Sequence, residues 1–128
     1  MKIYCCNCQK FTDCDLVTGK EIYPNRPDLA DKYFYRCKCG GYIGCHPNSD
    51  RPLGNIPTQE MKKARIIIHS MIDPLWQKGI ITRGRLYRLI AKELKIKEYH
   101  TGWTKSIEQC RDVYRAASKI IKKLEKRI

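Results

Sequence analysis

The apolar positions of this chain change their period near Pro57. Before it, aromatic and β-branched residues come in runs too short for a helix, such as Glu21-Ile22-Tyr23 and Lys32-Tyr33-Phe34-Tyr35-Arg36, set between glycines, prolines and polar residues. Runs of that kind read as short strands joined by turns. After Pro57 the period is helical. Met61, Ala64, Ile68, Met71, Ile72 and Leu75 recur at three- and four-residue steps, with Thr58 placed as an N-cap. Asp73-Pro74 is expected to interrupt or restart that helix, because proline lacks an amide proton but fits a first helical turn behind an aspartate cap. A second helix is predicted from about Thr82 to Lys95, with Leu86, Leu89, Ile90 and Leu94 on one side. A third, beginning near Thr104, sets Ile107, Cys110, Tyr114, Ala117, Ile121, Leu124 and Ile128 on a seam of heptad spacing. Packing of that seam on the chain's own helices is expected.

Composition divides at the same point. Every proline except Pro74 and seven of the eight cysteines lie at or before Pro57, so the first segment has little material for a core of its own. The predicted architecture is α+β, with two segments: residues 1–57, rich in cysteine, docked on a helical segment of three to four helices over residues 58–128. No apolar run approaches the roughly 20 residues needed to cross a bilayer, and the N-terminus has no signal-like stretch. A soluble protein of the cytoplasm, with no membrane partner, is expected. In that reducing compartment the cysteines are better suited to a metal than to disulfides.

Cys5 and Cys8 form a Cys-x-x-Cys pair, and Cys37 and Cys39 follow with 28 residues between Cys8 and Cys37, and with Gly40-Gly41 directly behind them. Such turns let both sulfurs of a pair converge on one ion while backbone N–H groups support the thiolates. Two pairs make a tetrahedral zinc site with every position filled by protein, so the expected Zn2+ is single and structural, and residues 1–57 are expected to form a zinc ribbon of short antiparallel strands. The one-residue spacing of the second pair is tighter than usual and leaves Cys45 or His46 as alternative ligands. Cys6, Cys14 and Cys110 are read as incidental thiols.

Charge is unevenly placed. Residues 1–57 carry 8 Lys and Arg against 6 Asp and Glu, whereas residues 58–128 carry 18 against 7, a balance of +11 in the second segment. A surplus of that size attracts polyanions, of which nucleic acid is the commonest in a cell. Arg83, Arg85 and Arg88 cluster at a helix start, where the helix dipole also favours phosphate. Arg111, Arg115, Lys119 and Lys122 recur on the last helix as a stripe beside the seam, continued by Lys126. These residues are the candidate nucleic-acid contacts, with DNA favoured over RNA. The same stripe also suits a solvated helix face or a host protein partner.

Several motifs carry a family resemblance. They are Arg36-Cys37-Lys38-Cys39-Gly40-Gly41-Tyr42-Ile43-Gly44-Cys45-His46, Arg51-Pro52-Leu53-Gly54, His69-Ser70-Met71-Ile72-Asp73-Pro74-Leu75-Trp76 and Tyr99-His100-Thr101-Gly102. In that order they resemble the zinc-finger-containing domain of small phage and prophage proteins. The resemblance implies a zinc site and a phage or mobile-element origin, and little more about function. The stretch from Gly41 to His46 also resembles the zinc ribbons at the tail of bacterial type I DNA topoisomerases, which bind DNA without catalysing. All three histidines, His46, His69 and His100, fall inside these motifs. His69 and Asp73, four residues apart, invite an enzymatic alternative in which they and His100 hold a second metal or act as acid and base. A structural pairing of His69 with Asp73 is the simpler expectation, and no catalytic residue is assigned.

Overall fold

The structure is a computed structural model that describes residues 1–126. It is α+β and divides into two compact units, Met1–Thr58 and Gln59–Ile128. Ile128, the last position of the predicted seam, lies outside the described residues.

The first unit is built from short antiparallel strands. β1 (Lys2–Cys5) pairs with β2 (Lys10–Asp13), and β3 (Asp15–Thr18), β4 (Tyr33–Arg36) and β5 (Tyr42–Gly44) form a second sheet in the order β3-β4-β5. Cys5 pairs with Lys10 at the hairpin end, while Arg36 pairs with both Asp15 and Tyr42. The tail of the unit returns to the first hairpin, where Ile56 accepts from the Cys6 amide at 2.8 Å and donates to Tyr4 O at 2.9 Å. Ile3, Cys5, Cys14, Tyr35, Cys37 and Ile56 are the buried cluster. Half of it is cysteine, so the core is small and gathers around sulfur.

The expected strand at Glu21-Ile22-Tyr23 is instead a helical turn, α1 (Gly19–Ile22). Tertiary contacts decide this against local propensity. The Tyr23 amide closes onto Gly19 O at 2.7 Å, and its ring then meets Phe34 and Tyr42 edge-on, with the two tyrosine hydroxyls 2.7 Å apart.

The second unit contains α2 (Gln59–Gln77), α3 (Arg83–Leu94) and α4 (Ile107–Glu125), with a 3-10 turn at Thr101–Trp103 before α4. Met61, Ile68, Ile72, Leu86, Ile90, Cys110, Val113, Ala117 and Ile120 form its buried interior. Thr82 and Ser106 cap α3 and α4, each accepting from the amide three residues on.

Asp73-Pro74 does not break α2, which runs on through Pro74 to Gln77. Asp73 is not a cap there. Its carboxylate accepts from Trp76 Nε1 at 3.1 Å and lies 3.2 Å from His69 Nδ1, so it ties the turn before the proline to the turn after it. Only one turn follows Pro74, which limits what the missing N–H costs.

The seam of α4 is also displaced from its expected line. Cys110 and Ala117 are buried, but Val113, Ala116 and Ile120 complete the face, and Tyr114 is 48% exposed. α4 packs against both α2 and α3. A helix with two neighbours needs a broad face at a period of 3.6, not a narrow heptad line.

Candidate functional site

Two turns position the metal-ligand candidates. In the β1–β2 hairpin the Gln9 amide returns to Cys5 O at 2.7 Å, which curls Cys5 to Cys8 around one point. In the β4–β5 turn Cys37 N–H donates to Gly41 O at 2.8 Å, and Gly40 N–H returns to Cys37 O at 2.9 Å. The two glycines serve different needs. Gly40 has φ +95, a region that side chains resist. At Gly41 an added Cβ would lie 2.7 Å from Asn7 Nδ2 and 2.9 Å from Ile56 Cγ2, so the turn closes only without a side chain there.

The ligand atoms of Cys5, Cys8, Cys37 and Cys39 all lie within 4.8 Å of one another. Across the two turns, Cys5 Sγ is 3.6 Å from Cys39 Sγ and Cys8 Sγ is 3.9 Å from Cys37 Sγ. Zinc–sulfur bonds of about 2.3 Å put tetrahedral sulfurs about 3.8 Å apart. The four cysteines therefore fit one structural zinc ion. Four protein thiolates leave no position for a reacting water.

Hydrogen-bond donors lie against the sulfurs. The Thr12 hydroxyl lies 3.2 Å from Cys37 Sγ, Gly41 N–H donates to Cys39 Sγ at 3.4 Å, and Asn7 Nδ2 reaches Cys5 Sγ at 3.8 Å. Without metal the thiols compete for charge. Burial pushes Cys37 up, but the Thr12 hydroxyl, the Cys39 amide and the Cys39 and Cys8 thiols outweigh it and bring it down to about 6. Cys8 is pushed up to about 12, first by its hydrogen bond with Cys39 and then by desolvation. Burial likewise raises Cys39.

Cys45 and His46 are not members of the tetrad. Cys45 packs half-buried against the sulfur-rich core, and burial followed by Asp50 raises its thiol. Cys14, read as incidental, is buried beside the site with its sulfur 3.4 Å from Thr12 Oγ1. Thr12 and Asn7 were not legible as site residues; their only sequence signal is polarity close to a Cys-x-x-Cys pair.

Among the described residues no second group of three or more His, Cys, Asp or Glu side chains gathers within coordination reach. His69 pairs with Asp73, and His100 Nε2 lies 2.9 Å from Glu98 Oε1.

The candidate phosphate contacts do not form one array. Arg83 and Arg88 line a groove of about 340 Å³ with Tyr87 and Lys97, whereas Arg85 lines a different groove of about 650 Å³ with Lys92 and Lys123. Arg83 and Arg85, two apart on the helix, point to opposite sides. On α4, Arg111 lies 3.6 Å from Glu60, Arg115 2.9 Å from Asp112 and Lys119 3.2 Å from Glu93. Lys122 is exposed in the last turn of α4. Arg65, absent from the sequence-based candidates, is buried and donates to Thr104 Oγ1, Thr104 O and Gly102 O at 2.9, 2.8 and 3.1 Å.

A four-cysteine cluster held by two turns on short antiparallel strands defines a zinc-binding protein whose metal is structural. The chain belongs to the zinc-finger-containing domain family, which matches residues 1–120. No curated protein and no solved structure matches it. No helix among the described residues is long and apolar enough to cross a membrane.

Proposed function

We propose that this protein is a small nucleic-acid-binding accessory factor of a phage or other mobile element, acting in the bacterial cytoplasm, with DNA favoured over RNA. The zinc orders the first unit and the basic helical unit makes the contact. One observation carries the reading: Arg83, Arg85 and Arg88 are exposed and none pairs with a carboxylate among the described residues. Guanidinium groups left without acids in a unit of balance +11 are free to take phosphate and release counterions. Phage origin rests on the motif resemblance, and the preference for DNA on the likeness to topoisomerase ribbons.

Fluorescence anisotropy of labelled DNA and RNA against the zinc-loaded full chain tests this. Binding that weakens steeply with salt is expected, at a log–log slope near −4.5 if about five phosphates are contacted. No binding to either at low salt removes the reading.

A second reading, a factor that binds a host protein, is favoured by Ile66 and Ile67, adjacent on α2 and 64% and 49% exposed. Capture of one host protein that survives nuclease treatment would select it.

A further inference from the structure

The groove beside the start of α3 differs from the larger groove of its unit in one respect: its cations lie beside aromatic rings. Arg83 lies over the Tyr87 ring, 4.8 Å from its centroid, and 5.8 Å from that of Trp76. Tyr87 meets the buried Tyr99 at 5.3 Å and His100 at 6.4 Å, and His100 is in turn 4.2 Å from Trp103. Trp103 ends this row of rings, is 53% exposed and lines an adjoining pocket together with His100, Glu98 and Asp112, the last of these paired with Arg115. Arg88 and Lys97 flank the row along the groove. The one carboxylate lining it, Glu98, is engaged by His100.

The larger groove on the other side of α3 makes the contrast. Its cations, Arg85, Lys92 and Lys123, stand over Ile80, Leu89 and Leu124, with no ring among the lining residues. Aliphatic side chains give a base nothing to stack on. In a duplex the base faces are covered by neighbouring pairs, so exposed rings beside cations are matched to a strand whose bases are free.

We infer that the Arg83–Tyr87–His100–Trp103 row is a binding site for single-stranded nucleic acid, with at least one unpaired base stacked on Trp103 and the flanking phosphates held by Arg83, Arg88 and Lys97. This rests on the nucleic-acid reading and narrows it to strand type. The rings contribute sequence-tolerant stacking and the cations contribute the salt-dependent part. Arg83 serves both, since its guanidinium already lies over the Tyr87 ring.

The test uses the zinc-loaded full chain and three probes of equal length, about 12 nucleotides: oligothymidylate, the same strand with abasic sites, and a duplex. Oligothymidylate is expected to bind about tenfold or more tighter than the abasic strand, to bind tighter than the duplex, and to quench tryptophan fluorescence. Trp103→Ala is expected to weaken the oligothymidylate complex between about 5- and 150-fold, while Trp103→Phe retains most of the affinity. Far-UV circular dichroism and zinc content verify each variant. The abasic comparison needs no variant, so a folding failure does not block the test. Equal affinity for normal and abasic strands, or tighter binding of duplex, overturns the stacking site and leaves the nucleic-acid reading standing. No binding of any probe at low salt overturns both.

Discussion

Thr12 places its hydroxyl 3.2 Å from the sulfur of Cys37, across from the hairpin turn that carries Cys5 and Cys8. A thiolate accepts hydrogen bonds, so the hydroxyl donates to it and supports the ionised form. Thr12→Val keeps the shape and removes the donor. Loss of such a partner to a metal ligand typically costs about 10- to 100-fold in affinity. Competition against a chromophoric chelator should show weaker zinc binding within that range, with Cys37 ionising at higher pH in the metal-free protein. Unchanged affinity would make Thr12 a filler of the core.

Zinc uptake should depend steeply on pH. In the metal-free site Cys37 is down to about 6 while Cys8 is up to about 12 and Cys39 is raised, so at neutral pH Cys37 is a thiolate and the other two hold protons. Zinc must expel at least those two, and affinity therefore rises with pH by at least about two decades per unit near neutrality. Below pH about 6 Cys37 takes up a proton as well, and the dependence steepens. Metal holds the thiolates charged in the folded state, so its stabilisation is present at neutral pH and disappears on acidification. Calorimetric titration in buffers of different ionisation enthalpy counts the protons. A release below two protons at neutral pH would contradict protonated Cys8 and Cys39 in the metal-free site.

The cysteine pairs, the change of period near Pro57 and the three long helices were legible because each has a signal of its own: ligand spacing, composition and a run long enough to show 3.6. The strands were harder. Lys2–Cys5, Lys10–Asp13 and Asp15–Thr18 are four residues each, too few for an alternation to stand out. Glu21-Ile22-Tyr23 has strand-like residues yet turns, since the ring of Tyr23 is needed beside Phe34 and Tyr42. Asp73-Pro74 carried a start signal that the carboxylate's bonds to His69 and Trp76 overrode. Arg65 was invisible for a different reason. An arginine on a basic helix reads as surface, and only the fold brings the carbonyls of Gly102 and Thr104 to it.

That burial makes Arg65 a stability residue of the second unit. It is 8% exposed, and its guanidinium donates to three oxygens in the segment leading into α4. Arg65→Ala removes these bonds and opens space for its stem. A hydrogen bond to a charged group contributes about 1.5 to 3 kcal/mol, so a loss of about 2 to 4 kcal/mol is expected in denaturant unfolding. Zinc content should remain at one equivalent, because the ligands belong to the other unit. A cost under about 0.5 kcal/mol, the range of ordinary surface substitutions, would show that the three bonds add nothing net.

The basic residues of α3 and α4 should differ in what they contribute to binding. Arg111, Arg115 and Lys119 each lie beside a carboxylate, whereas Arg83, Arg85 and Arg88 meet none among the described residues. Exposed ion pairs are weak, worth about 0 to 1 kcal/mol, but a phosphate must still displace the acid or tolerate its charge nearby. A free guanidinium has no such competitor. Replacing Arg83, Arg85 and Arg88 with alanine should flatten the log affinity against log salt plot by about 2 to 3 units, at about 0.7 per phosphate for a single strand and 0.9 for a duplex. Replacing Arg111, Arg115 and Lys119 should flatten it by less than about half as much. The two grooves separate further. Arg85→Ala alone should change affinity for strand and duplex alike, whereas Arg88→Ala should weaken the strand more, since Arg88 shares its groove with Tyr87 and His100. Equal slopes for the two triple variants would mean that pairing within the chain does not decide which cations meet phosphate.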